Sequence, residues 1–447
     1  MRNELAVSTL MLAMIPAFAG TIPSRFGVDA PELAPLGRYG VGLRVLHLVQ
    51  PEQPDVAAFD AVSATAPRRD RVLTVDLWYP ARPEPHAPRA IYAARLPAEP
   101  PAAPVRFTVP GIAVRNAAPA AAPAPATAAG RPAPAFPLVI VSHGYSNDPA
   151  AMTWLTENLA SKGYVVAAIR HDDPPITDRA RFPEVLLRRP LDLAFVAAAL
   201  RRSLADEHLI DPSRLALIGY SIGGYGVLTA AGATLDPEGA PARSVPGGLM
   251  LPFVRGAPRE QDVRIDGVRA VIAISPAGGG TLGAWGAEGA RGITAPLLLI
   301  AGDADRTVDY ASGARALFDQ SVNARRYLLT FRGAGHSIGL SPAPRAMRRR
   351  LWDQDWFEDP VWRKERLNAI EMHFITAFLG IHLAGDPAFA SYLDVPVASS
   401  STGVWPADAP PAAYDGFSNG AAPVTVWKGF QRKHAEGLEL LRSEPAS

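Results

Sequence analysis

Six short apolar runs recur between residues 137 and 333, and they restrict the chain to few architectures: PLVIVSH (137–143), YVVAAIRH (164–171), RLALI (214–218), GVRAVIAIS (267–275), APLLLIAG (295–302) and RRYLLTFRG (325–333). A strand buried on one face alternates apolar and polar residues. Runs this continuously apolar fit strands covered on both faces, as in a parallel sheet sandwiched by helices. The intervening segments supply such helices. MTWLTENLASKG (152–163) has helical spacing and a glycine at its end, LDLAFVAAALRRSL (191–204) follows, and a third helix starts at Ser221. Two further runs, VGLRVLHLV (41–49) and RVLTVDLWYP (71–80), read as strands that precede this block. The expectation is a doubly wound, mostly parallel α/β sheet of about eight strands.

The chain has 447 residues, 48% of them hydrophobic, enough for one large core with additions. Its 44 Lys and Arg balance 43 Asp and Glu, so no basic surface for nucleic acid is expected. It contains no cysteine, which excludes disulfides, thiolate metal sites and a thiol nucleophile. Arg2, the apolar stretch Leu5–Ile15, Pro16 and the triplet Ala17-Phe18-Ala19 have the layout of a secretory signal, residues 1–19. Export to the periplasm or medium is the expectation, with a cytoplasmic protein as the alternative. No other stretch approaches the about 20 apolar residues that span a bilayer.

A Pro/Ala-rich connector covers 96–136, with VRFTVPGIAV (105–114) as a short ordered piece inside it; proline at this density opposes regular helix. The rest, 20–447, reads as one domain. Two segments are long enough to cap a site, 233–266 and 342–379, and a C-terminal extension covers 396–447. Trp352, Trp356, Phe357 and Trp362 cluster in the second segment. Such a cluster suits core packing as well as a binding wall.

Residues 219–223, Gly-Tyr-Ser-Ile-Gly, stand between a buried run and a helix, the context in which G-x-S-x-G places a nucleophile on a sharp turn. Ser221 then needs a base and an orienting carboxylate, which in this architecture follow in the order acid, histidine. APLLLIAG runs into Asp303-Ala304-Asp305, and RRYLLTF runs into Gly333-Ala334-Gly335-His336. Both lie past the ends of strands, where such sheets build their sites. His336 is the candidate base, and Asp303 and Asp305 compete as the acid. The oxyanion hole is expected from the N–H of Ile222 and the N–H of Tyr145, in the loop Ser142-His143-Gly144-Tyr145. His143 reads as a structural hydrogen-bond partner beneath that loop. His171-Asp172-Asp173 lacks the spacing of a metal site, and neither metal nor cofactor is expected.

These motifs, with VGLRVLHLV, LTVDLWYPA, FPLVIVSHGYSND, LASKGYVVAAIRHDD, DPSRLALIGYSIGGYG, LLLIAGDADRTV, GAGHS and the C-terminal WKGFQRKHAEGLEL, resemble an α/β-hydrolase of the dienelactone hydrolase-like, platelet-activating-factor acetylhydrolase-like group. The resemblance implies an α/β-hydrolase fold with helical cap insertions, the triad Ser221, Asp305 and His336, and Tyr145 with Ile222 in the oxyanion hole. Asp303 then shapes its turn. True dienelactone hydrolases use a cysteine nucleophile, which this chain lacks, so the implied activity is that of a serine carboxylic-ester hydrolase acting on a small or lipid-like ester through an acyl-enzyme. A peptidase or amidase with the same triad, told apart by paired ester and amide substrates, is one alternative. A catalytically inactive binding protein, told apart by labelling of Ser221, is the other.

Overall fold

The computed structural model describes residues 26–27, 29–96, 104–122, 135–349, 351–402, 425–431 and 434–446. The signal-like residues 1–19 and the densest part of the Pro/Ala stretch lie outside the described residues, as do the side chains of Trp352 and Asp353.

Among the described residues twelve strands form a single sheet. They are β1 (Gly40–Pro54), β2 (Arg68–Arg82), β3 (Arg89–Leu96), β4 (Val105–Arg115), β5 (Ala118–Pro119), β6 (Phe136–Ser142), β7 (Val165–Arg170), β8 (Ile210–Tyr220), β9 (Val268–Ile274), β10 (Leu297–Gly302), β11 (Arg326–Phe331) and β12 (Leu438–Ser443). The spatial order is β12-β11-β10-β9-β8-β6-β7-β2-β1-β4-β3, with β5 paired to β2. The six apolar runs form the parallel block β11-β10-β9-β8-β6-β7. Antiparallel β2 and β1 extend one side of it, and antiparallel β12 closes the other.

The expected eight strands fall short for local reasons. β3 and β4 make a hairpin that joins the sheet through only Gly42↔Val114 and Leu43↔Arg115. β4 coincides with the ordered piece 105–114 expected inside the connector and extends it by Arg115. β12 comes from the C-terminal extension and pairs with β11 over its whole length.

Period-two side-chain alternation divides each apolar strand between two cores. Val139, Val141, Ala216, Ile218, Ile272 and Ile274 face one layer, with Trp154, Leu159, Phe374 and Phe378. Leu138, Ile140, Leu215, Leu217, Val271 and Ala273 face the other, with Leu193, Val196, Leu200 and Leu228. The first layer holds α1 (Thr153–Ser161), and Gly163, two residues past its end, has φ +103°. The second holds α2 (Phe182–Asp206) and α3 (Ile222–Ala230).

α2 starts nine residues before the expected Leu191 and runs through Pro190. Proline cannot donate to the carbonyl four residues back, which ordinarily breaks a helix. Here the Tyr225 hydroxyl donates to the Leu186 carbonyl at 3.0 Å and supplies the missing bond. The remaining helices are α4 (Ala240–Ser244), α5 (Ala316–Gln320), α6 (Leu351–Asp355), α7 (Lys364–His382) and α8 (Ala390–Leu393). α7 corrects the limits of the second cap segment. Its Leu367, Ile370, Phe374 and Phe378 are buried in the first layer, so 364–379 is core and not roof.

The chain leaves β6 for β7 on one side and later returns to place β8 on the other. Such a reversal opens a crevice at the carboxyl ends of the two strands. Ser142 and Gly219, at those ends, are register partners.

Candidate active site

β8 delivers Ser221 into a conformation with φ +55° and ψ −120°. Non-glycine residues seldom adopt such backbone, at a cost of about 1–3 kcal/mol. Neighbouring backbone holds the turn: Ser221 N–H donates to the Ile274 carbonyl at 2.9 Å, and the Ser221 carbonyl accepts from Gly224 at 2.8 Å and Ala277 at 2.9 Å. Two of the motif's glycines are required by close approach. A Cβ at Gly219 would sit 2.2 Å from the Gly223 carbonyl oxygen, and one at Gly223 would sit 2.0 Å from that of Ser142. The elbow is thus packed directly on the end of β6.

His336 Nε2 lies 2.9 Å from Ser221 Oγ, and its Nδ1 lies 2.7 Å from Asp305 Oδ2. A carboxylate only accepts, so Nδ1 carries the proton and Nε2 is left to accept from the serine hydroxyl. The His336 side chain is 20% exposed while that of Asp305 is 1% exposed, so the pair spans from solvent edge to interior. Burial works to raise the Asp305 pKa. The hydrogen bond and charge of His336, with the amides of Val308 and Thr307, outweigh it and hold the carboxyl below its ordinary value. Asp303 does different work. It accepts from Gly333 N–H at 2.6 Å and from Arg332 at 3.1 Å, stapling the ends of β10 and β11 together.

The serine and histidine open into a cleft of about 490 Å3 that Tyr145 and Ile222 also line. Ile176, Phe182, Leu282, Val308, Leu340 and Trp356 make most of it apolar. The Tyr145 ring packs 5.2 Å from Phe182, and the Trp356 indole N–H donates to Asn147 Oδ1 at 2.8 Å. Of the two segments read as caps, only 342–379 reaches this cleft, through Asp355 and Trp356. Residues of 233–266 line a separate groove against α2 and the β1 end.

Sequence reading passed over several residues around the site. Tyr220, the variable position before Ser221, donates through its hydroxyl to the His336 carbonyl at 3.1 Å and places its ring 5.4 Å from the imidazole. Lys364 donates to the Ser337 carbonyl, and Asp359 accepts from Gly335 N–H at 2.7 Å, so the histidine loop is held from below. Only position within the motif pointed to Tyr220, and nothing local pointed to the other two.

His143 lies beneath the loop 142–146: its Nδ1 is 2.7 Å from the Gly144 carbonyl. Burial, reinforced by Arg189, pushes its pKa well below the usual imidazole value. His171 bridges Ser142 Oγ and Asp192, each at 2.9 Å, and burial with Arg189 lowers it to about 3. Among the described residues no group of three His, Asp or Glu side chains is placed to hold a metal ion.

A family described as PET hydrolase-like matches residues 125–238, about a quarter of the chain, a stretch that holds Tyr145 and Ser221 but not Asp305 or His336. Cutinase est2 of Thermobifida alba is 35% identical over 102 residues, 23% of this chain and 32% of that protein. Cutinase cut1 of Thermobifida fusca is 36% identical over 102 residues, 23% of this chain and 30% of that protein. The matched stretch thus spans about a third of the length of these relatives. A ferulic acid esterase from Streptomyces cinnamoneus superposes with a TM-score of 0.48 at 23% identity, covering 78% of this chain and 92% of that one. The strand order, the reversal at β6 and the serine elbow after β8 make this chain an α/β-hydrolase fold.

Proposed function

We propose that the protein is a serine carboxylic-ester hydrolase working through an acyl-enzyme. The observation that carries this reading is the continuous hydrogen-bonded line Ser221–His336–Asp305, at 2.9 and 2.7 Å, opening on an apolar cleft. Ser221 Oγ attacks the ester carbonyl as its proton passes to His336 Nε2, and Asp305 holds the imidazolium so formed. The amides of Tyr145 and Ile222 hold the oxyanion. His336 then returns the proton to the departing alkoxide, and a water repeats the sequence on the acyl-serine.

The cleft favours esters with an apolar or aromatic portion beside the scissile bond, since Phe182, Tyr145 and Trp356 flank it. The PET hydrolase-like and cutinase matches support an ester of that kind, extending to polyesters. They support it more closely than the dienelactone hydrolase-like resemblance does. The signal-like N-terminus supports export, tested by the N-terminal sequence of the protein recovered outside the cytoplasm. Among the described residues no helix is long and apolar enough to cross a membrane.

A fluorophosphonate probe on the full chain, followed by peptide mass mapping, tests the assignment. Label on the peptide holding Ser221, lost together with turnover of p-nitrophenyl esters in Ser221→Ala, is the expected outcome. The loss of kcat should be on the order of 10³-fold or more. Label elsewhere, or Ser221→Ala turnover within about tenfold of wild type, overturns it.

A further inference from the structure

Beneath the loop 142–146 runs a closed, buried chain of polar side chains. Arg71 donates to both oxygens of Asp192 at 2.8 Å. Asp192 accepts from His171 Nδ1 and His171 Nε2 accepts from Ser142 Oγ, each at 2.9 Å. Ser142 Oγ in turn accepts from Arg189 at 3.2 Å. The fully buried Arg189 also donates to the His143 carbonyl, to Asp173 and, at 3.4 Å, to the Gly144 carbonyl. Asp173 then accepts from Ser146 N–H at 3.1 Å. The partners settle the His143 tautomer: Nδ1 faces the Gly144 carbonyl at 2.7 Å and must donate, and Nε2 faces His171 N–H at 3.3 Å and must accept.

The consequence lies in one peptide plane. In a trans peptide the C=O and the following N–H point in opposite directions. The Gly144 carbonyl is drawn inward to His143 and Arg189, and it also accepts from Asn147 N–H at 3.2 Å, so the Tyr145 N–H on the same plane is turned outward. Tyr145 lines the same cleft as Ser221 and His336. A glycine is needed for this seat, since a Cβ at Gly144 would stand 2.6 Å from Asn147 Nδ2 and 2.9 Å from Tyr220 Cε1. Arg189 and Asp173 clamp the peptides on both sides of Tyr145, which leaves this plane little freedom to flip.

We infer that His143 and Arg189 are positioning residues that hold the Gly144–Tyr145 peptide with its N–H aimed at the developing oxyanion. This rests on the ester-hydrolase reading, in which the Tyr145 amide is one of two oxyanion donors. A fully buried guanidinium must place its N–H donors on acceptors, and those that Arg189 takes include the carbonyls of His143 and Gly144, the two residues before Tyr145. Losing the aim of one oxyanion donor costs about 10²–10³-fold in kcat with little change in ground-state binding.

The test compares wild type with His143→Phe, which keeps the ring but removes the donor, and His143→Asn, whose amide N–H lies near the position of Nδ1–H. Each full-length protein is assayed for kcat and KM on a p-nitrophenyl ester. Each is also assayed for inhibition by an alkyl trifluoromethyl ketone, whose serine adduct carries an oxyanion. For His143→Phe, kcat should fall about 10²-fold with KM within about threefold, and the ketone Ki should rise by the same factor as kcat falls. His143→Asn should recover about tenfold or more of that kcat. A fall in kcat with Ki unmoved, a kcat within about threefold of wild type, or an Asn variant as damaged as Phe overturns the role. Should His143→Phe not fold, Arg189→Lys is read by the same three quantities; failure of both to fold assigns the network to the fold alone and also overturns it. Wild-type protein without ester turnover removes the underlying reading, whereas active wild type with undisturbed variants removes only the positioning role.

Discussion

Asp303 and Asp305 stand two residues apart on one turn, and geometry divides their work. Asp305 is buried against the imidazole and accepts from Thr307 and Val308 at 2.9 and 3.2 Å; Asp303 faces the half-exposed Arg332 and the Gly333 amide. Asp305→Asn keeps the shape but removes the charge that stabilises the imidazolium and fixes its tautomer. Its kcat should fall about 10³–10⁴-fold, with the protein still folded. Asp303→Asn loses a surface ion pair worth about 0–1 kcal/mol and part of a backbone staple, so its melting temperature should drop slightly with kcat near wild type. Steady-state kinetics and thermal melts on the two variants check this. A crippled Asp303→Asn beside an active Asp305→Asn would reverse the assignment.

Elements here depend on partners distant in sequence, and α2 is the clearest instance. Its continuity through Pro190 rests on a hydroxyl from α3, Tyr225, which is fully buried and also stacks 5.8 Å from Trp285. Tyr225→Phe keeps the ring and leaves the Leu186 carbonyl buried without this donor. An unmet buried acceptor costs about 1–3 kcal/mol. The urea midpoint should shift down accordingly, read by circular dichroism; an unchanged midpoint would show that α2 tolerates its proline without help. The same dependence explains the reading of α2 from the sequence. Proline marks a boundary when only local bonds are counted, and the bond that removes the boundary comes from 35 residues away, Pro190 to Tyr225. The α7 part of segment 342–379 belongs to the core and not to the roof for a related reason. Leu367, Ile370 and Phe374 have helical spacing whether they face a sheet or a ligand, and the sheet takes them.

Across the molecule, buried titratable groups set how stability responds to pH. His143 is held well below its ordinary value, and His171 and His373 at about 3, in each case chiefly by burial. Below about pH 6.5 the unfolded chain protonates these imidazoles while the folded chain does not, so stability falls as pH drops from about 6.5 toward 3. Glu371 works the other way. Burial raises it to about 8, so the fold holds a proton that the unfolded chain has released between its ordinary 4.5 and 8. Lys162 at about 7 and Lys364 at about 8, both lowered by burial, add stability only as pH rises above those values. His382 is lowered likewise, to about 4, and burial also raises Asp76 and Asp148. Four imidazoles against three carboxyls leave a net loss on the acid side, each proton weighing about 1.4 kcal/mol per pH unit. The urea midpoint at pH 5 should lie clearly below that at pH 7; an equal or higher midpoint would show that these histidines are protonated in the fold.

What the chain determined locally is the parallel block, the turn after β8 and the order serine, acid, histidine, because each is written in a few adjacent residues. Alternation within six apolar runs divides them between two cores, and glycines flank a serine whose backbone cannot tolerate bulk. Spacing alone left Asp303 and Asp305 level on one turn, with the family resemblance favouring Asp305. The tertiary structure separates them by bringing His336 from the next strand to Asp305 and leaving Asp303 on the Gly333 amide. It also decided the grip of Arg189 on the 142–146 loop, the support of His336 by Tyr220 and Lys364, and the addition of β12 to the sheet. Those interactions join residues whose sequence neighbours carry no trace of the partner. A hydrogen bond across 40 or 100 residues leaves no period in the chain, and it comes into being only when the sheet brings its strand ends together.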